Sequence, residues 1–199
     1  MKSTQIKSEI ILASKSKVRK EILEKNNINC RVISSNVDED PIKQSLIKEG
    51  ATPELISKNL AEIKATKVSS LNNEFLVLGA DSVIDLENNI ISKPENRIEA
   101  LEILKKLNGK EHYLISSVTI AKNGAMIWNY TDKAKLKMKH FNLDELKKYL
   151  SKISDHDLFS YNVYQIEGEG KNLFSNIDGD KDTIMGLPIK KIKDYLERI

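Results

Sequence analysis

Phe75-Leu76-Val77-Leu78-Gly79-Ala80 is an unbroken apolar run that ends at Asp81. A strand with one wet face alternates polar and apolar residues, whereas a continuous run fits a strand covered on both faces. Such strands belong to sheets with helices above and below, and ligands of open α/β sheets settle at strand ends. Asp81 at this junction reads either as a turn-capping residue or as a functional carboxylate.

The flanking sequence repeats the α/β grammar. Residues 9–13 read as a buried strand, followed by a Ser/Lys turn and a helix over 17–25 with Val18, Ile22 and Leu23 inward. Thr52 and Pro53 begin a second helix on which Leu55, Asn59, Leu60, Ile63 and Val68 recur at helical spacing. A short strand at Ile90-Ile91 precedes Lys93-Pro94, and Asn96 with Glu99 opens a helix that stops at Gly109. From Tyr113 to Met138 the period falls to two around an Asn123-Gly124 hairpin, so this half is antiparallel. Helices follow from Asn142 and from Pro188, separated by a stretch over 161–182 read as irregular and Gly-rich.

Composition narrows the classes. The 199 residues, 40% of them apolar, can bury a core as one domain over 1–199 without a linker. The net charge of +3 from 32 basic and 29 acidic residues describes a mixed-sign surface and disfavours a nucleic-acid partner. Cys30 is the single cysteine, which excludes an internal disulfide and fits a reducing compartment. The polar N-terminus carries no export signal or membrane span, so a cytoplasmic protein is expected.

Several residues could carry chemistry. The turn Ser14-Lys15-Ser16-Lys17-Val18-Arg19 lies between a strand and a helix, where free N–H groups and the helix dipole can cradle phosphate; a plain N-cap is the competing reading. Asp38-Glu39-Asp40 offers hard oxygen ligands, or merely a solvated acidic loop. His112, His140 and His156 lack metal-ligand spacing and read as structural or surface residues. The alternation of lysines over 133–139 reads as the wet face of a strand, and Trp128 as core.

Leu-Ala-Ser-x-Ser near the start, Asp38-Glu39, Leu60-Ala61-x-x-Lys64-Ala65, Gly79-Ala80-Asp81-Ser82-Val83, Lys93-Pro94, Leu107-Asn108-Gly109-x-x-His112 and Gly186-Leu187-Pro188 occur in one order over nearly the whole chain. The set resembles the Maf family of nucleoside triphosphate pyrophosphatases. That resemblance implies an elongated α/β fold with a mixed sheet flanked by helices, two lobes and a central cleft, like the inosine-triphosphate pyrophosphatases. It also implies a homodimer and hydrolysis of a nucleoside triphosphate to monophosphate and pyrophosphate, assisted by a divalent cation such as Mg²⁺, Mn²⁺ or Co²⁺. By resemblance Asp81 is the proton acceptor and Glu39 joins it at the metal. Ser14 or Ser16, Arg19, Lys64 and Lys93 contact phosphate. Val18, Ser82 and Glu167 fall where the base is read, and there this chain departs from the thymidine and uridine triphosphate enzymes, which carry Gln where Glu167 stands. A regulatory binding role in septum formation, with incidental catalysis, is the alternative that the family's name implies.

Overall fold

The computed structural model describes residues 9–199, apart from the side chains of residues 159–161. The N-terminal residues 1–8, and most of the segment read above as carrying no export signal, lie outside them. Strand β1 (Ile10–Leu12) leads into α1 (Lys17–Lys25), and β2 (Cys30–Val32) into α2 (Glu39–Lys48) and α3 (Pro53–Ser69). Then come β3 (Val77–Leu86), β4 (Asn89–Ile91), α4 (Arg97–Leu107), and the long strands β5 (Glu111–Lys122) and β6 (Ala125–Met138). Helices α5 (Leu143–Ser151) and α6 (Asp155–Tyr161), a 3₁₀ turn (Glu169–Leu173), β7 (Phe174–Asp178), α7 (Lys181–Ile184) and α8 (Ile189–Leu196) complete the chain.

The strands form one open mixed sheet in the order β2-β1-β3-β5-β6-β7, with β4 also on β3. β1 is parallel to β2 and β3, and every other pairing is antiparallel. The hairpin between β5 and β6 is tight because Asn123 and Gly124 both adopt positive φ, 53° and 75°, as a two-residue primed turn demands. Among the described residues no helix is long and apolar enough to cross a membrane.

Helix α3 lies directly on β3. It is capped by the Thr52 hydroxyl and buries Ile56, Leu60, Ala61, Lys64, Ala65 and Val68. The apolar stripe is therefore shifted from the predicted one, and Leu55 is exposed. Gly79 permits the close approach: a Cβ there would sit 2.3 Å from the Ala61 carbonyl oxygen and 2.7 Å from the Ala65 nitrogen. The opposite face carries two clusters. One is built on Leu12, Leu23, Leu78, Val118 and Ile192, the other on Leu104, Leu107, Leu136, Leu146 and Leu158.

Three expectations change. β3 does not end at Asp81 but continues to Leu86, so Asp81 is a mid-strand residue. Asp38-Glu39-Asp40 is no loop: it is the N-cap and first turn of α2, where acidic groups suit the helix dipole. The stretch over 161–182 holds a 3₁₀ turn and β7, which pairs with β6. The histidine and tryptophan readings are matched in part. His112 is fully buried and hydrogen-bonds Tyr164 at 2.9 Å, and Trp128 stacks on Tyr195 at the edge of the core.

Candidate active site

The site arises where the sheet is incomplete. β1 pairs with β3 only at Val77 and Leu78, and β4 joins the same edge only from Ile84. Between them the edge of β3 from Gly79 to Val83 has no strand neighbour among the described residues. The turn that follows β1 therefore arrives beside Asp81, which is 5% exposed.

Asp81 is held from the helix side. Lys64, itself 7% exposed, donates from Nζ to Asp81 Oδ1 at 2.8 Å and forms a second ion pair with Glu39 Oε1, also at 2.8 Å. Lys43 reaches Glu39 Oε2 at 3.4 Å, and Ser57 donates its hydroxyl to the Asp81 carbonyl. Burial pushes the Glu39 carboxyl up, but Lys64 and then Lys43 outweigh it, so the group ionises below its ordinary value. Asp81 Oδ2 is buried with no hydrogen-bond partner among the described residues. That atom is an unused acceptor beside a desolvated ion pair, an arrangement more costly than folding alone requires.

In front of this triad opens a cavity of about 430 Å³ lined by Ser14, Lys15, Ser16, Lys17, Arg19, Ser34, Ser35, Asn36, Glu39, Lys64, Lys93 and His156. Helices α1 and α2 both begin at its wall, so two positive helix ends face it. The Ser16 hydroxyl caps α1 by accepting the Arg19 N–H at 3.3 Å, so the N-cap reading of this turn holds, and the cradle is built around that cap. Burial, with the nearby Arg19 charge, holds the Lys93 ammonium below the usual lysine value against the pull of Glu39 and Asp81. Cations crowded in this way favour a bound polyanion.

Of the residues expected to meet here, Ser14, Ser16, Arg19, Lys64, Lys93 and Glu39 share this one cavity, with Asp81 behind Lys64. Ser82 does not open onto it; its hydroxyl accepts from Arg19 Nη2 at 3.0 Å. Val18 and Glu167 line a second hollow of about 210 Å³ with Ile22, Lys181, Asp182 and Met185. There Glu167 pairs with Lys181 at 3.0 Å. The first turn of α1 separates the hollows, with Lys17 and Arg19 on one and Val18 on the other.

Sequence reasoning missed the wall formed by residues 34–37, whose signal was a second strand, polar turn and helix unit, β2-Ser34-Ser35-Asn36-α2. It also left His156 as a structural or surface residue. His156 is exposed, and the surface it belongs to is the cavity rim. Arg97 ties the start of α6 to the end of α5: it bonds Asp155 at 2.7 Å and the carbonyls of Leu150 and Ile153 at 2.8 Å.

Comparison with known proteins closes the case for kinship. A family model described as Maf-like protein matches residues 9–199. A protein of Pelagibacter ubique named nucleoside triphosphate pyrophosphatase is 69% identical over 96% of this chain and 98% of its own. A Brucella abortus protein named 7-methyl-GTP pyrophosphatase is 36% identical over 95% of each. The structure of a HAM1 protein from Coxiella burnetii superposes with a TM-score of 0.51 at 11% identity, covering 96% of this chain and 99% of that one, a likeness of fold. The chain belongs to the Maf family.

Proposed function

We propose that the protein is a nucleoside triphosphate pyrophosphatase that hydrolyses its substrate to the monophosphate and pyrophosphate by water attack at the α-phosphorus. The observation that carries this reading is the unpartnered Oδ2 of Asp81, a carboxylate that Lys64 bridges to Glu39, with both Lys64 and Glu39 in the wall of a cationic cavity of about 430 Å³. Names of relatives in both curated groups point the same way.

Asp81 orients the water and accepts its proton at Oδ2, while Lys64 on Oδ1 keeps the carboxylate in place. Lys64 and Lys93, with the hydroxyls of Ser14 and Ser16 and the N–H groups of the α1 turn, neutralise the charge that gathers on the departing pyrophosphate. Among the described residues no three His, Cys, Asp or Glu side chains form a metal cage. Asp81 Oδ2 is an unused acceptor and the lysine-paired oxygens of Glu39 keep further lone pairs, so the two carboxylates nonetheless fit a hard cation that takes its remaining ligands from phosphate and water. Glu39 and Asp81 would hold it, and Mg²⁺, Mn²⁺ or Co²⁺ would supply charge neutralisation on phosphate and acidify the attacking water.

For the base, Glu167 and Val18 in the second hollow support a purine or modified nucleotide such as a methylated guanosine triphosphate. A carboxylate accepts only, and so prefers the N–H donors of a guanine edge, whereas an amide can also donate. The relative named for 7-methyl-GTP agrees with this choice. The test is pyrophosphate release from canonical and modified triphosphates with each of the three cations. Best turnover of dTTP and UTP overturns the base assignment, and no release from any triphosphate overturns the activity.

A further inference from the structure

Arg19 spends its donors on the protein. Nε donates to the Gly186 carbonyl at 3.0 Å, Nη1 to the Ala80 carbonyl at 2.9 Å and to Ser14 Oγ at 3.2 Å, and Nη2 to Ser82 Oγ at 3.0 Å. A guanidinium has five N–H groups, so one remains. The Ala80 carbonyl lies on the stretch of β3 edge that neither β1 nor β4 reaches, and Arg19 takes the place of the missing strand there. Ala80 and Ser82 flank Asp81, and Ser14 belongs to the phosphate turn.

The far end of this connection is equally defined. Ser82 and Ser116 share a hydroxyl contact at 2.9 Å, Ser116 donates to the Thr183 carbonyl at 2.7 Å, and Thr183 donates to Asp132 at 2.6 Å. Gly186 has φ +96°, and a Cβ on it would lie 3.1 Å from Ser82 Oγ and 3.3 Å from Arg19 Nε. Glycine suits this position because residues with a side chain rarely adopt the backbone conformation, and a Cβ would press on Ser82 Oγ and the guanidinium.

We propose that Arg19 is a positioning residue that locks the phosphate turn, the strand on both sides of Asp81 and the Gly186 corner into one geometry, and is not itself a phosphate ligand. The proposal rests on the pyrophosphatase reading and assigns within it a role that charge alone would not suggest. A lysine cannot substitute, because its three donors radiate from one atom and cannot span four acceptors on three segments.

The experiment compares Arg19→Lys, Arg19→Gln, Gly186→Ala and Ser82→Ala with the wild type for kcat, KM, the inhibition constant of pyrophosphate, and melting temperature. A positioning role predicts that Arg19→Lys loses kcat on the order of 10- to 100-fold, as much as Arg19→Gln, with pyrophosphate affinity nearly unchanged. Gly186→Ala, which removes no group from the cavity, loses kcat in the same sense. Near-normal turnover in Arg19→Lys with a large loss of pyrophosphate affinity in Arg19→Gln makes Arg19 a phosphate ligand and overturns the proposal. If Gly186→Ala does not fold, Ser82→Ala decides: its effect on kcat must be strongly non-additive with Arg19→Lys, and additivity refutes the coupling. Should the wild type release no pyrophosphate at all, the activity reading fails on its own. Amide hydrogen exchange over residues 80–83 then still judges Arg19→Lys, with faster exchange supporting the lock and unchanged exchange sinking it.

Discussion

Replacing Lys64 with Met keeps the length of the side chain and removes its charge. Lys64 is 7% exposed and its ammonium lies 2.8 Å from both Asp81 and Glu39, so the substitution leaves two carboxylates, one of them buried, without their shared cation. Taking one partner from a buried ion pair costs about 3–5 kcal/mol. Glu39 is 34% exposed and retains Lys43, which places the loss near the lower end, about 3 kcal/mol. For a chain of this size that corresponds to a fall in melting temperature of roughly 6–12 °C.

The same pair gives the loss a pH signature. Burial raises the Glu39 carboxyl, but Lys64 and Lys43 lower it by more, so its folded value lies below the unfolded 4.5. A depressed carboxylate contributes stability that is fully present above the unfolded value and lost as pH falls through the folded one. The gap between wild type and Lys64→Met is therefore widest at neutral pH and narrows below about pH 4.5. Thermal and urea unfolding of both proteins at pH 7 and in steps down to acid measure it. A variant that melts within about 2 °C of wild type at pH 7, or a gap of constant size across the series, would falsify the account of the triad.

Asp81→Asn should keep its fold, since Lys64 retains Glu39 and an amide oxygen still accepts at Oδ1, while turnover drops on the order of 10²- to 10⁴-fold; wild-type pyrophosphate release from this variant would remove Asp81 from the chemistry. Gly79→Ala drives a methyl into the α3 backbone 2.3 Å away, destabilising by at least ~1–3 kcal/mol and displacing Lys64 with its helix. Calorimetry together with kcat checks that outcome, and an unaltered melting temperature contradicts the packing described. Ser16→Ala removes the α1 cap and costs about 1 kcal/mol in denaturant unfolding, with no loss expected if the hydroxyl served phosphate alone.

The sequence made parts of this fold plain and hid others for definite reasons. The strand and helix of 9–25, the α3 start, the Asn123-Gly124 hairpin and the α5 start at Asn142 were legible because turn chemistry and period are local properties. Helix α2 was not, because its acidic start resembles a solvated run. Its carboxylates are in fact where a helix favours them, and Pro41 sits in its first turn. β3 was cut short because Asp81 and Asp85 are buried polar residues inside a strand, and a hydrophobicity pattern reads each as an end. The identity of the site residues came from motifs, not from period. Nothing local joins Lys64 to Asp81, 17 positions away, or Glu39 to either.

The mid-strand position of Asp81 makes better chemical sense than the strand end that the pattern suggested. At a strand end the carboxylate would be in water and free to rotate. Inside β3 it is desolvated, clamped on Oδ1 by a lysine from α3, and left with Oδ2 unsatisfied, on the stretch of strand that neither β1 nor β4 pairs. A continuous neighbour would have closed that opening, and a sheet without α3 would have left this buried aspartate without its lysine partner. The short β1 and the late arrival of β4 are thus the structural cause of the cavity, and the turn after β1 fills the opening with N–H groups and cations. Arg19 closes what remains of the edge without blocking it. The electrostatic cost of the buried triad is borne by the folded state in advance, which is how a preorganised site spares the reaction the work of arranging its own charges.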